Sequence, residues 1–150
     1  MSNLWYNNTM DWSYISGYFD GEGSLLLGVS QDTRKGKIGN SQVDGWIIIP
    51  AWSLTSFDYE TLNRIHSFLG EQRFSPRTTN LRVQRIGQSK PAMRIEVGGW
   101  GQIDKLVRIL IPFSIAKRRQ YELFLELHSI IECKGRHWTK LLFLKAMRKV

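Results

Sequence analysis

The sequence has little cysteine, no long apolar run and fewer acids than bases, and each shortage excludes a class of protein. Its only cysteine, Cys133, excludes a disulfide framework within the chain and a zinc site built from several cysteines. No apolar run is long enough to cross a bilayer, and no secretion signal is recognisable. No repeat, low-complexity segment or domain boundary interrupts the chain. The sequence therefore predicts one domain, residues 1–150, located inside the cell in the cytoplasm or an organelle matrix.

The excess of positive charge predicts a polyanionic partner. The chain has 21 basic and 13 acidic residues, and its net charge is +8. Six basic residues and no acidic one lie between Arg73 and Arg94, and Lys117, Arg118 and Arg119 form a second cluster. A membrane surface would favour one basic amphipathic helix. Because much of this charge lies in strand-like sequence, it favours nucleic acid over a membrane.

A helix with two different faces is predicted near the N-terminus. Trp12, Ile15 and Phe19 recur with the spacing of one apolar helix face, and the helix is expected to end near Asp20. A second face is nearly bare of side chain, which allows two helix backbones to approach closely. Its residues are Ser13, Gly17 and Gly21.

Two acids follow this helix, and a strand begins directly after them. Asp20 and Glu22 alternate with glycines, and Gly23 precedes an apolar run. One interpretation is an ordinary glycine-rich helix end whose acids are solvated. A calcium-binding loop is excluded, because the positions that need glycine and glutamate would be Leu25 and Gln31. The remaining interpretation is an acidic site held at the end of a packing helix.

The nine residues from Ile15 to Gly23 resemble the LAGLIDADG motif of homing endonucleases. Gly17, Asp20 and Gly23 are identical to the motif letters, and Glu22 replaces the second aspartate. The family's single-motif chains are homodimers, so the resemblance implies a homodimer with Glu22 as its catalytic acid. The helix face that would form the dimer interface is the bare one, Ser13, Gly17 and Gly21.

The resemblance also implies a divalent-metal site. Two Glu22 carboxylates at ~5 Å would repel by roughly 3 kcal/mol at an effective dielectric constant of ~20. A cation relieves that repulsion, and the Glu22 carboxylate and the Gly21 carbonyl are oxygen ligands that suit Mg²⁺, although other divalent cations are possible. Asp20 is expected to be structural.

Two further catalytic candidates rest on the resemblance. Lys117 follows Pro112 and Phe113 at the position where the family has a lysine beside the active site. The alternative for Lys117 is a phosphate clamp shared with Arg118 and Arg119. A polar family position, often a glutamine, falls near the end of the second strand, within 53–56. This chain has no glutamine there, and Ser56 is the candidate for that position.

Periodicity predicts an α+β fold in the order helix, two strands, helix, two strands, helices. The resemblance implies an αββαββα fold with a curved antiparallel sheet and helices on one face. Residues 1–9 are expected to form a surface arm, and 87–90 a turn. The expected strands are 24–31, 46–54, 81–84 and 93–97. The first expected helix ends near Asp20, and the others span 58–69, 100–110, 120–132 and 138–147.

The polar sides of the last two strands predict a DNA-reading surface. A two-stranded ribbon fits the major groove, where arginine can pair with guanine and glutamine with adenine. A solvated sheet face is the alternative. The strand 46–54 is mostly apolar, so no base contact is assigned to it, and Pro50 indicates an edge or a bulge there. The candidate DNA contacts are Asn80, Arg82, Gln84, Arg94 and Glu96, with Ser30, Arg34, Lys35, Arg77, Arg118 and Arg119.

Together these patterns favour a homodimeric, Mg²⁺-dependent endonuclease that cuts double-stranded DNA at a long, nearly palindromic site. A two-fold protein reads two-fold DNA. One alternative is a maturase of the same fold that binds intron RNA. Another is a DNA-binding regulator that has no cleavage activity.

Overall fold

A computed structural model describes residues 10–31, 42–43, 46–81 and 91–134. The predicted arm 1–9, the turn 87–90 and the helix 138–147 lie outside these ranges. The predicted order of elements is confirmed within them, with one short additional strand. The elements are α1 (Trp12–Glu22), β1 (Gly23–Gln31), β2 (Gln42–Val43), β3 (Trp46–Ser56), α2 (Tyr59–Glu71), β4 (Arg77–Leu81), β5 (Ala92–Gly98), α3 (Trp100–Leu110) and α4 (Arg118–Lys134).

The strands form one antiparallel sheet in the order β1–β3–β5–β4, and β2 also pairs with β3. Successive residues of a strand point to opposite faces. The face that packs against the helices, called the inner face, carries Trp52 and Leu54 of β3 and Ile95 and Val97 of β5, all fully buried. The opposite face is called the outer face. The α+β class is confirmed.

The core between the inner face and the helices is aromatic at one end. The Phe19 ring of α1 stacks on Trp52 at 4.7 Å and on Tyr121 of α4 at 5.5 Å. The Ser16 hydroxyl donates to the Leu110 carbonyl, which joins α1 to the end of α3. None of the helices in the described ranges is both long and apolar enough to cross a membrane.

Strand β4 begins earlier than predicted. We expected a strand at 81–84, whereas the structure places β4 at Arg77–Leu81 and does not describe 82–90. The first four residues of β4 are exposed, because the strand lies at the edge of the sheet order. Such a strand lacks the alternation of apolar and polar residues that a sheet with one buried face imposes. The strand was therefore not recognisable from its sequence pattern.

Pro50 lies at a local edge, as predicted. It pairs with Leu27 of β1, while the pairing of β3 with β5 begins one residue later, at Ala51 with Gly98. The missing proline N–H therefore removes no hydrogen bond from the β5 side of β3. The register of β1 against β3 runs without a bulge.

The helix ends are set by side chains close to the predicted positions. Asp11 caps α1 and Asp58 caps α2, each accepting a backbone N–H three residues further on. Helix α2 continues past Gly70, the predicted end, and Arg73 has the positive φ of 64° that follows the helix. Helix α1 continues two residues beyond Asp20, so Glu22 is its last residue.

Candidate active site and nucleic-acid interface

The end of α1 is fixed by a close contact between Gly23 and Phe19. A methyl group on Gly23 would lie 2.1 Å from the Phe19 ring, much closer than two carbon atoms can approach. Glycine is required here by this contact and not by backbone conformation, since Gly23 is extended. The chain therefore turns from α1 into β1 directly against the buried Phe19 ring.

Asp20 binds the segment that leads into α4. Its carboxylate accepts the Ser114 hydroxyl at 2.6 Å. It also accepts the backbone N–H groups of Ile115, Ala116 and Lys117 at 2.6, 3.0 and 3.3 Å. Burial raises the pKa of Asp20, but these hydrogen bonds outweigh burial and hold the pKa below its usual value. The expectation that Asp20 is structural agrees with these contacts.

Lys117 binds the end of α1 in return. Its Nζ donates to the carbonyls of Phe19, Asp20 and Gly23 at 2.9, 3.1 and 2.5 Å. It also lies 5.2 Å from the centre of the Phe19 ring. An ammonium group has three N–H donors, so three carbonyls use all of them. Lys117 is therefore oriented by the protein, whereas Arg118 and Arg119 pair with a glutamate of α4.

These contacts place at the end of α1 and at the start of α4 a charge of the sign that stabilises each of these helix ends. The last turn of α1 has no basic residue, and the first turn of α4 has no acidic one. A cation stabilises the negative C-terminal end of a helix, and an anion stabilises the positive N-terminal end. Lys117 supplies the first and Asp20 supplies the second. The two helix ends are thus joined by charge-assisted hydrogen bonds.

Glu22 differs from Asp20, because among the described residues its carboxylate has no hydrogen bond or ion pair. It is exposed at the end of α1, next to the exposed Gly21. Lys117 binds three carbonyls around this end and leaves that of Gly21 out. A free carboxylate beside a backbone carbonyl is a ligand pair that suits Mg²⁺. One chain supplies little more than this, since the described residues contain no group of three His, Cys, Asp or Glu side chains suited to a metal.

Ser56, the third catalytic candidate, lies at the end of β3. Its hydroxyl accepts the Asp58 N–H at 3.2 Å, at the start of α2. The Ser56 hydroxyl also forms a hydrogen bond with Tyr18 of α1. Burial raises the pKa of Tyr18, and this hydrogen bond offsets only part of that rise. Ser56 therefore contacts α1 through Tyr18, one turn before Glu22. No pattern in the sequence had indicated the part played by Tyr18.

The predicted dimer face is open in the single chain. Ser13, Gly17 and Gly21 are all exposed. Methyl groups built on Gly17 and Gly21 would meet no atom within 4 Å. Nothing in the described fold of one chain therefore requires glycine at these two positions.

The outer face carries part of the predicted DNA contacts. Arg94 and Glu96 of β5 lie on it, and Arg77 of β4 is directly opposite Glu96. The Arg94 side chain donates to the Thr55 hydroxyl of β3 at 3.3 Å, which holds its guanidinium over the sheet. Three of the candidate residues are thus brought together on one polar area of the outer face.

Asn80 does not join this area. It pairs with Met93, and directly opposed residues share a face, so Asn80 is directed to the side opposite Arg94. The predicted row that combined Asn80 with Arg94 and Glu96 is therefore wrong for Asn80. Arg34, Lys35, Arg82 and Gln84 lie outside the described residues, and Ser30 is placed only as part of the β1 backbone.

Arg118 and Arg119 are at the start of α4, away from any strand. They form exposed ion pairs with Glu122 at 3.8 and 3.3 Å, and Arg119 reaches Glu126 at 3.8 Å. Exposed pairs of this kind contribute about 0–1 kcal/mol, so the arginines can exchange them for phosphate.

The contacts of the buried His128 were not predicted from the sequence. His128 of α4 bonds Asp104 of α3 at 3.0 Å and stacks on Trp100. Burial raises the pKa of Asp104, but hydrogen bonds from Arg108 and His128 outweigh burial, so the pKa lies below its usual value. His128 thus packs between α3 and α4.

The sequence matches no protein-family profile and no curated protein, but the fold is similar to solved structures. I-CvuI, a homing endonuclease in complex with the I-CreI target in the presence of Mg, is 15% identical; the match covers 81% of this chain and 67% of that chain, with a TM-score of 0.58. The archaeal intron-encoded homing endonuclease I-Vdi141I, complexed with DNA, is 24% identical over 80% of this chain and 67% of that chain, with a TM-score of 0.57.

The LAGLIDADG meganuclease I-CpaMI, bound to uncleaved DNA, is also similar. It is 18% identical, and the match covers 84% of this chain and 39% of that chain, with a TM-score of 0.60. The similarity therefore extends over most of this chain in each case. It confirms the predicted resemblance to the LAGLIDADG homing endonucleases at the level of the fold.

Proposed function

We propose that this chain, which has the fold of the LAGLIDADG homing endonucleases, is a homodimeric endonuclease that cuts double-stranded DNA at a long, nearly palindromic site. I-CvuI, I-Vdi141I and I-CpaMI are bound to DNA in their structures, which supports a DNA substrate. The net charge of +8 is in keeping with a polyanionic partner.

The observation that carries the proposal is the difference between the two acids of the motif. Asp20 accepts four hydrogen bonds and joins α1 to the segment before α4. Glu22, two residues later, is exposed at the end of the same helix and has no partner among the described residues. One acid holds the backbone, and the other is left available. An available carboxylate on a fixed backbone is what a metal-dependent hydrolytic site requires.

The open face of α1 supports a dimer with two such sites. A glycine inside a helix costs about 1 kcal/mol relative to alanine. Gly17 and Gly21 carry that cost, and no contact with the described residues of the chain demands it. Close packing of α1 against the α1 of a second copy would demand it, and would bring the two Glu22 carboxylates to the two-fold axis.

The Glu22 carboxylate and the Gly21 carbonyl fit a magnesium ion, which binds through one or two carboxylates and otherwise through water and phosphate oxygens. When bound, the ion activates water and stabilises the leaving oxygen. The structures of I-CvuI with DNA in the presence of Mg and of Ca support a divalent-ion site. Lys117 holds the carbonyls around Gly21, and Asp20 holds Lys117. These two residues keep the end of α1 in one position while DNA binds.

The test is cleavage of a plasmid library that carries candidate sites, with Mg²⁺ and with EDTA. Glu22→Gln keeps the volume of the side chain and removes its charge, so cleavage should be abolished while DNA binding persists. Glu71→Gln is a matched control. It removes the same charge from an exposed residue at the end of α2, and that end is near Trp12, at the opposite end of α1. Cleavage by the Glu22→Gln protein would disprove the assignment of Glu22.

A wild-type protein that binds double-stranded DNA but never cuts it in Mg²⁺ would favour the DNA-binding regulator instead. Binding to structured RNA in preference to DNA would favour the maturase. Each outcome is read from the same set of titrations.

A further inference from the structure

The outer face has an exposed apolar patch beside its basic area. Leu26 of β1 is 50% exposed and Ile49 of β3 is 48% exposed. Leu26 pairs with Ala51 and Ile49 pairs with Gly28, so all four residues lie next to one another. Ala51 also pairs with Gly98 of β5, which places it two residues from Glu96 on the outer face. We call these four residues, Leu26, Gly28, Ile49 and Ala51, the apolar patch.

The patch is not part of the core. Leu25 and Leu27, the neighbours of Leu26 on the inner face, are half-buried and pack against the helices. Leu26 projects in the opposite direction, where half of its surface is in contact with solvent. Exposing two large aliphatic side chains side by side forgoes burial energy, and exposed apolar patches bordered by polar residues are typical of binding surfaces.

We propose that the apolar patch contacts the C5-methyl groups of thymines in the major groove, and so selects A·T pairs at those positions of the target. This inference rests on the proposed function. The methyl group of thymine is the one apolar group that a base pair presents in the major groove, and apolar side chains recognise it by contact. Leu26 and Ile49 are diagonal neighbours in the pairing of β1 with β3. Diagonal neighbours lie about 7 Å apart, close to two base-pair steps of about 3.4 Å.

The charge of the outer face argues for DNA as the occupant and against a second copy of this chain. Arg94 lies on the same face as the patch, on the adjacent strand β5, and Arg77 lies on that face one strand further away, on β4. Together with Glu96 they give the described part of this face a net positive charge, and two copies placed face to face would oppose that charge to itself. A DNA duplex offers phosphates for the arginines and methyl groups for the patch at once. The small residues Gly28 and Ala51 leave room for the base edges to approach.

The polar area and the apolar patch of the outer face would recognise different base pairs, because they differ in hydrogen-bonding groups. Arg94 and Glu96 can exchange hydrogen bonds with guanine and cytosine, whereas Leu26 and Ile49 have no hydrogen-bonding group. The apolar residues of β3 would then contribute to the selection of the DNA sequence. The two parts would read different base pairs of each half-site.

The experiment selects bound DNA from a randomised duplex library and then measures affinity for the selected duplexes made with thymine or with deoxyuridine. Deoxyuridine pairs like thymidine but lacks the C5-methyl group. We expect the selected sites to be enriched in A·T pairs at two or more positions of each half-site. The affinity of the wild-type protein should fall about fourfold for each contacted methyl group that is removed.

Variants then locate the effect. In Leu26→Ala and Ile49→Ala the ratio of thymine to deoxyuridine affinity should fall towards one. Val29→Ala is the control, because Val29 is also on β1 and 45% exposed, but lies on the opposite face of the strand. That variant should keep the wild-type ratio. Thermal melting checks that all three variants fold, as expected for exposed side chains.

The outcomes separate this inference from the proposed function. Selected sites without A·T enrichment, or equal affinity for thymine and deoxyuridine duplexes, would overturn the inference while cleavage in Mg²⁺ still supports the endonuclease. A change in sedimentation of the protein alone on replacing Leu26 or Ile49 would overturn it as well, by showing that the patch joins two copies. Failure of the wild-type protein to select any DNA would overturn both proposals.

Discussion

Asp20 and Lys117 are 97 positions apart in the chain and hydrogen-bond to each other's backbone. The Asp20 carboxylate accepts the Lys117 N–H at 3.3 Å, and the Lys117 ammonium donates to the Asp20 carbonyl at 3.1 Å. Each side chain also binds further backbone groups on the other segment, so hydrogen bonds in both directions join the end of α1 and the start of α4 into one unit. The proposed catalytic acid, Glu22, is carried by that unit. We therefore assign Asp20 and Lys117 to positioning of the site.

The first prediction concerns the coupling of these two residues. Asp20→Asn leaves one oxygen for four donors, and should lower the free energy of unfolding by about 1–3 kcal/mol. Lys117→Met keeps an unbranched side chain of similar length and leaves three carbonyls without their donor. Because the two residues belong to one network, the destabilisation of the double variant should be smaller than the sum of the single effects, by about 0.5–3 kcal/mol. Urea titrations of the four proteins measure the coupling.

The control for this cycle is Glu71→Gln combined with Lys117→Met. Glu71 is exposed and lies at the far end of α2, so its effect should be additive with that of Lys117. Additive effects for Asp20 and Lys117 would mean that the two helix ends are stabilised independently.

The second prediction is a pH dependence that belongs to Asp20. Its hydrogen bonds outweigh burial and lower the pKa from the ordinary value of 3.8. A folded pKa below the unfolded one means that the stabilisation is present above pH 3.8 and disappears as the pH falls through the folded pKa. The difference in unfolding free energy between wild type and Asp20→Asn should thus be constant from about pH 5 to 7 and shrink in more acidic solution. A difference that grows on acidification would contradict the assignment.

The third prediction concerns the open face of α1. Gly17→Leu inserts a side chain where the proposed dimer brings two backbones together, and overpacking costs roughly 1–3 kcal/mol. The destabilisation should appear as dissociation into monomers in sedimentation equilibrium. Gly70→Leu is the control, since Gly70 is also an exposed helical glycine with no atom within 4 Å of an added methyl group. A Gly17→Leu protein that sediments as a wild-type dimer would mean that α1 does not form the interface.

The elements that could be predicted from the sequence are those with one buried face. Helix α3 begins at Trp100 and ends at Leu110, as its apolar spacing predicted, and its apolar face is buried: Ile103, Leu106, Val107 and Leu110. The start of strand β4 could not be predicted, because its exposed edge position leaves no alternating pattern over residues 77–80. The register of β4 against β5 is also decided by long-range pairing, so the sequence could not show that Asn80 faces away from Arg94.

The candidate site was predictable in its residue types but not in its contacts. The motif resemblance pointed to Asp20, Glu22 and Lys117, and the structure places the backbone segments that carry them together. What no local pattern indicated is that Lys117 would use its donors on carbonyls of α1. Ser114 was missed for the same reason, since its bond to Asp20 spans 94 positions of the chain.

The last prediction separates residues that read bases from residues that bind phosphates. Arg94 is held on the outer face by its hydrogen bond to Thr55, whereas the Arg119 side chain is 68% exposed at the start of α4 and pairs there with two surface glutamates. Arg94→Ala should cost about 1–3 kcal/mol on the preferred site and relax preference at one base pair of each half-site. Arg119→Ala should weaken binding to all sequences alike and reduce the slope of the salt dependence by about one unit for each phosphate that the variant no longer binds.

Binding titrations on single-substitution site libraries at several salt concentrations distinguish these two effects. Glu96→Gln on the same strand as Arg94 tests the reading role further, because an amide that replaces a carboxylate should change which base is preferred and alter the salt dependence little. If Arg94→Ala weakens binding to every sequence equally, the guanidinium on β5 binds phosphate and does not read a base. Base preference on the described part of the outer face would in that case rest on Glu96 and on the methyl contacts of Leu26 and Ile49. The Glu96→Gln titrations and the ratio of thymine to deoxyuridine affinity would then measure these two contributions separately.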